Sequence, residues 1–198
     1  MNSPSSFLYH PNWCGGSYEL AIETGTRDDA SFEAFLQAVW GAAGVQGCYG
    51  RKDLEPEEQV SVPCTAASLA EFHALRGRVR LPGGIEVVCH VMAVRSQEWG
   101  GESDWLDFGI PMGALEATGL VSCGRDSYVG SPVLNAWFGE IGTRAFAKTP
   151  FRLGLIGFET SGCTDFAELG GRVPETSAIA YLMPGDGGLG YHPVSVHG

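Results

Sequence analysis

Four carboxylates stand where strand periodicity could bring them together. Glu19 and Glu23 lie in the alternating run Tyr18-Glu19-Leu20-Ala21-Ile22-Glu23, Asp107 lies in a second alternating run, and Glu159 closes an apolar run. Residues two apart on a strand share a face, so Glu19 and Glu23 point the same way, opposite to Tyr18, Leu20 and Ile22. Two carboxyls held close cannot both ionise easily. Such a pair can serve as acid and base, or with further oxygens chelate a hard cation. The polar faces of half-solvated strands carry the same letters, so the four read equally as solvated or ion-paired acids unless the fold converges them.

A second group is contiguous. Glu98, Trp99, Glu102, Asp104, Trp105 and Asp107 surround Gly100-Gly101, with no basic residue among them. Aromatics beside a glycine-flexed acidic loop have the composition of an interface anchor. Exposed, the loop would steer a basic protein by long-range attraction and then bury Trp99 or Trp105 against it. The competing reading places both tryptophans in the core.

Other candidate chemistry is sparse. Cysteines 14, 48, 64, 89, 123 and 163 form no Cys-x-x-Cys pair and no zinc spacing, which reads as reduced thiols in a cytoplasmic protein. Cys64 and Cys163 each precede an expected helix, whose N-terminus could lower a thiol pKa, and Cys14 reads as a buried thiol under the amino-terminal arm. The five histidines share no spacing, and His90, within a strand pattern, reads as a packed imidazole. Gly185 to Gly190 spells Gly-x-Gly-x-x-Gly, but no helix or distant acid follows, so it reads as a hairpin turn. Neither a nucleophile elbow, a phosphate-binding loop nor a His-Glu-x-x-His pair occurs, and no metal or cofactor is expected.

Composition bounds the rest. The chain has 198 residues, 12 basic against 23 acidic for a formal charge of −11, and 44% apolar positions, as expected of a globular rather than a disordered chain. The negative charge disfavours phosphate backbones and anionic lipid, so neither nucleic acid nor a membrane is an expected partner. No stretch approaches the roughly 18 to 20 apolar residues that span a bilayer. Residues 1–16 lack a basic start and an apolar run, and read as an arm before a single domain over 17–198 rather than as a secretory signal.

These side chains must be positioned by the elements around them. Alternation marks strands near 18–23 and 104–110, and a hairpin joins 79–81 to a strand from Ile85 to Arg95 through Pro82-Gly83-Gly84, with Arg80 opposite Glu86. Phe32, Phe35, Leu36, Val39 and Trp40 mark a helix after Asp28 and Asp29 that stops at Gly41 to Gly44. A charged loop over 51–59 precedes a helix over Ala66 to Arg76, with Ser68 and Glu71 in capping-box spacing. Further on come a short helix over 112–118 with Pro111 in its first turn, a loop over 119–130, and a helix capped by Ser131 with Pro132 first. A central strand over 151–158 follows, open to helices on both faces, then a short helix at Asp165 to Glu168 and a hairpin of 178–183 with 189–196. The expected class is α+β, with a mixed, largely antiparallel sheet carrying two long amphipathic helices.

The leading functional expectation is a non-enzymatic protein that binds a basic protein partner through the acidic tryptophan loop, of an immunity or inhibitor type. The alternative is a small enzyme or ligand-binding module built on Glu19, Glu23, Asp107 and Glu159. A third is an accessory subunit or homodimer joined through the tryptophan-bearing arm.

Overall fold

A computed structural model describes residues 3–99, 101–121 and 130–195. In chain order the elements are β1 (Ser17–Glu23), α1 (Asp29–Ala43), β2 (Gln46–Tyr49), α2 (Ala66–Phe72), β3 (Leu75–Arg80), β4 (Glu86–Val94), α3 (Ser96–Trp99) and β5 (Trp105–Pro111). They continue with α4 (Met112–Glu116), α5 (Pro132–Phe146), β6 (Leu153–Phe158), α6 (Phe166–Leu169), β7 (Ala180–Gly185) and β8 (Gly188–His192). The eight strands form one sheet in the order β2-β3-β4-β5-β1-β6-β7-β8.

The class is α+β, but the expected parallel component is absent: every pairing among the described residues is antiparallel. The long helices explain this. Helix α1 carries the chain from β1 to β2, four places away at the sheet edge, and α5 carries it from β5 over β1 to β6. Each crossover joins strands that run the same way but are not neighbours, so no parallel ladder forms.

Both helices have 15 residues and sit on the face formed by Tyr18, Leu20 and Ile22. Their ends follow local chemistry. Asp28 accepts from the Ser31 amide at 2.8 Å and starts α1, and Gly44 with φ of 67° ends it in the left-handed conformation that glycine reaches without a Cβ penalty. Ser131 caps α5 at the Leu134 amide, with Pro132 in the first position. Against β1, the Tyr18 ring stacks on Phe138 at 6.1 Å and its hydroxyl donates to Asn135 Oδ1. Phe108 of β5 meets Phe138 at 6.0 Å. Loss of a ring this buried, as in Phe138→Ala, costs about 3–5 kcal/mol through transfer and cavity terms.

Several local expectations shift by a few residues for identifiable reasons. The helix expected over Ala66 to Arg76 stops at Phe72, because His73 turns left-handed with φ of 61° and Leu75 to Arg80 join the sheet as β3. Its cap is Thr65, whose hydroxyl accepts from the Ser68 amide at 3.2 Å, so the expected Ser68 and Glu71 box is not what starts it. Pro111 belongs to the end of β5 rather than to the helix after it. Arg80 does stand opposite Glu86, and Gly185 to Gly190 does form the turn and strands of a hairpin. Most of the 119–130 loop lies outside the described residues, as does Cys123. Among the described residues no helix is long and apolar enough to cross a membrane.

The opposite face of the sheet is covered by irregular chain. Residues 3–16 lie at one side: Phe7 is buried and meets Trp13 edge-on at 5.4 Å, while Glu55, in the charged 51–59 loop, accepts from the Phe7 and Leu8 amides and the Ser6 hydroxyl. At the other side Phe166 and Leu169 of α6, with Val173 and Ile179, pack on Leu153, Leu155 and Tyr181. The central strand β6 is thus covered by α5 on one face and by α6 with its flanking loops on the other. Between these two covers lie the polar side chains of β4, β5 and β1.

Candidate functional site

The register of the central strands decides which acids meet. Glu19 stands opposite Gly109 of β5 and Gly157 of β6, and Asp107 stands opposite Ala21 of β1 and Met92 of β4. Glu19 and Asp107 are therefore diagonal neighbours on one face, within reach of each other's side chains. The two glycines beside Glu19 make room for side chains from elsewhere: at Gly157 a Cβ would lie 2.9 Å from Thr160 Cγ2 and 3.1 Å from Ile179 Cγ2. At Gly109 a Cβ would lie 3.0 Å from the Ser17 Cβ and 3.1 Å from His90 Nε2, so the His90 ring occupies that gap and approaches the Ser17 hydroxyl at 3.3 Å.

Both acids are deeply buried, with Glu19 at 4% and Asp107 at 3% exposure. Burial disfavours the ionised forms and raises both. For Glu19 the amides of Thr160 and Ser161 oppose the rise, the Ser161 N–H donating to Oε1 at 2.9 Å, while nearby Glu159 adds to it. Asp107 has fewer compensations. Burial first, and then the neighbouring Glu19, push it up to about 7 against a hydrogen bond from the Ser161 side chain, and its Oδ1 is buried with no hydrogen-bond partner. Both carboxyls are thus held above their ordinary range, Asp107 by the neighbouring Glu19 as well as by burial.

Glu23 and Glu159 have different roles. Glu23 accepts from the Phe166 amide at 2.7 Å and lies 3.5 Å from Arg152 Nη1, so it anchors the start of α6 and is matched by a cation. Burial nevertheless raises its carboxyl. Glu159 is exposed, follows β6 with φ of 46°, and lays its carboxyl over Gly16, where a Cβ would collide with it. A non-glycine residue in that region of backbone space is uncommon and is held there by its surroundings, here the Glu159 N–H bond to the Ser17 carbonyl.

The acidic tryptophan loop is placed differently from an open anchor. Asp104 is 1% exposed; its Oδ1 accepts from the Ser96 amide at 2.7 Å and its Oδ2 lies 3.1 Å from Arg95 Nε. Its backbone is tied to the turn after β1 through Thr24 and Thr26, and Arg27 donates to the carbonyls of Gly101 and Glu102. Trp105 is half-buried against the β6 and β7 side chains, Asp107 belongs to the buried pair, and Glu102 is exposed. The side chains of Glu98 and Trp99 lie outside what the structure describes.

Where that loop meets the 161–162 turn, a pocket of about 350 Å³ opens, lined by Val94, Ser96, Ser103, Trp105, Ser161 and Gly162. Ser161 joins it to the carboxylates, since the residue that forms part of the wall also bonds to both acids. Ser96 Oγ, in the same wall, is buried without a partner. A larger and more open cleft of about 800 Å³ lies on the other face between the β3–β4 turn and α5, with Val133, Trp137 and the charged ends of Arg80 and Glu140.

The remaining residues with chemical potential bring no charge to this site. His90 is buried, and burial with the nearby Arg76 charge lowers it to about 4, so the imidazole is neutral. Cys14 is exposed rather than buried, because the arm folds beneath it and leaves the thiol outside, 3.5 Å from His10 Nδ1. Cys14, Cys48, Cys64, Cys89 and Cys163 are free thiols. Among the described residues, no group of three or more His, Cys, Asp or Glu side chains is arranged to hold a metal ion.

Sequence reading missed Ser96 and Ser161, which belong to no motif. The in-strand glycines at 109 and 157 were the available signal, because glycine inside a strand marks a place where something else approaches the backbone. Compared with known proteins, the chain matches no family model, no curated protein and no solved structure.

Proposed function

We propose that the protein is a small-ligand-binding module of α+β fold, with the pocket walled by Trp105, Ser96 and Ser161 as its entrance and with Glu19 and Asp107, buried behind Ser161, as the acids its ligand engages. One observation carries the reading: Asp107 is buried beside a second acid, with one oxygen left without a donor. Burying a carboxyl unpaired costs several kcal/mol, and most buried polar groups in folded proteins have partners. A group kept in that state, one residue behind a pocket wall, is a candidate for contact with a ligand. The raised proton affinity of both carboxyls also suits the pair to acid and base chemistry on a bound molecule.

The docking of a basic protein on the 98–107 segment has less support. Of its acids, Asp104 and Asp107 are buried, and Arg27 and Arg95 already satisfy part of the loop. A screen of small amines, amides, alcohols and sugars, read by the amide resonances of Ser96, Ser161 and Gly162 and the Trp105 indole, tests the proposal. At least one compound is expected to move these signals together and to bind more weakly to Asp107→Asn. Compounds that perturb only other surfaces, or none at all, would overturn it.

A further inference from the structure

The ion pairs on this face show what is missing from it. Glu23 has Arg152 and Glu55 has Arg78, whereas neither Glu19 nor Asp107 has an ion-pair partner among the described residues. The groups facing Asp107 are its two diagonal neighbours on β1, Glu19 and Glu23, and, next along its face of β4, His90; Arg152 pairs with Glu23, Glu159 lies beyond Glu19, and Arg76 of β3 stands opposite His90. His90 is neutral and the Arg76 guanidinium is committed to the Gly50 and Ala74 carbonyls, so among the described residues no positive charge is paired with either acid. The adjoining pocket adds an indole wall from Trp105 and an unsatisfied hydroxyl at Ser96, both suited to a cation with an apolar body.

We infer that the ligand is a small organic monocation, an alkylammonium or alkylguanidinium compound, whose charged head reaches the Glu19 and Asp107 carboxyls while its body lies against Trp105. This rests on the ligand-binding reading above and specifies its chemistry. The cation supplies the donor that Asp107 Oδ1 lacks and the counter-charge that the pair lacks. As it enters, Asp107 becomes fully ionised and its proton passes to the buffer, so binding strengthens with pH while the ligand stays charged. With Asp107 held at about 7, the rise between pH 6 and pH 8 approaches about tenfold.

The probes are butylguanidine and benzylamine, set against their neutral counterparts butylurea and benzyl alcohol. Binding is read at pH 6 and pH 8 from the Ser161 and Gly162 amide resonances, and proton release by calorimetry of the parent protein in two buffers of different ionisation enthalpy. The cations are expected to bind at least tenfold more tightly than the neutral compounds, to release up to one proton, and to lose their pH dependence in Asp107→Asn. Neutral compounds binding as well as the cations, or cation binding at pH 6 without proton release, would overturn the monocation while leaving a ligand pocket standing. Failure of all four to bind would overturn the pocket reading and the monocation with it. Because proton release is measured on the parent chain, the result does not depend on the variant folding.

Discussion

Replacing Asp107 by Asn keeps the side-chain shape and removes the ionisable group, so it isolates what the buried carboxyl contributes. In the unfolded chain this group ionises near its ordinary value of 3.8, and in the folded chain near 7. Because the folded value is raised, the group opposes folding wherever the unfolded chain is ionised and the folded one is not. Stability therefore falls as pH rises from about 4 to about 7 and then levels off. Each tenfold change in proton affinity is worth about 1.4 kcal/mol, so the limiting effect above pH 7 is about 4 kcal/mol, an upper value because the neighbouring Glu19 charge relaxes as Asp107 ionises. Between pH 5 and pH 8 the same difference removes roughly 2 to 3 kcal/mol from the parent protein and nothing from the variant. Urea unfolding of both proteins at the two pH values measures it: Asp107→Asn is expected to gain on the parent by that amount, with unchanged slope. Glu23 remains in both proteins with its Arg152 partner, so its own titration largely cancels. Stability curves of the two proteins that run parallel from pH 5 to pH 8 would refute the reasoning. A variant that is more stable at pH 8 would also show that this carboxyl is not there to stabilise the fold, the trade expected of a functional group.

Three further perturbations test the framework around the site. Ser131→Ala removes the cap of α5 and is expected to cost about 1 kcal/mol, seen as a lower urea midpoint with the slope unchanged. Gly113→Ala places a methyl against the Pro11 carbonyl oxygen, which is backbone and cannot swing aside; an expected loss of about 1–3 kcal/mol, together with faster proteolysis of residues 3–16, would report the arm lifting off α4. Glu55→Ala deprives the Phe7 and Leu8 amides of their acceptor, and hydrogen exchange at those two positions is expected to accelerate while exchange in β1 and β6 stays slow.

Much of the fold was legible because its signals are local. The alternation at Tyr18 to Glu23 placed β1, the spacing of Phe32 to Trp40 with Asp28 placed α1, and Ser131-Pro132 placed the start of α5. Leu75 and Arg76 were misassigned because one more helical turn after Phe72 satisfied the same apolar spacing; pairing with β4 overrode it, with Leu75 opposite Val91. The site was legible only as a set of candidates. Period two fixed Glu19 and Glu23 on one face, yet identical reasoning applied to Glu23, which is matched by Arg152, and to Glu19, which is not. Asp104 and Glu102 are two residues apart in the same acidic run; one is buried beside Arg95 and the other is exposed.

By itself the sequence determined the composition of each face, the caps and turns that bound the elements, and the absence of any contiguous catalytic motif, because each depends on neighbours within a turn or a strand. The tertiary structure alone decided that β1 and β5 lie side by side at the centre of the sheet and that the register sets Asp107 diagonal to Glu19. It also decided that the 161–162 turn closes over both acids. The adjacency arises from two helical crossovers that carry the chain past intervening strands, and strand alternation is the same whichever neighbour a strand finds. The raised affinity of Asp107 for its proton follows from that placement: burial and a second carboxyl nearby are properties of the assembled sheet, with no trace in the letters around position 107.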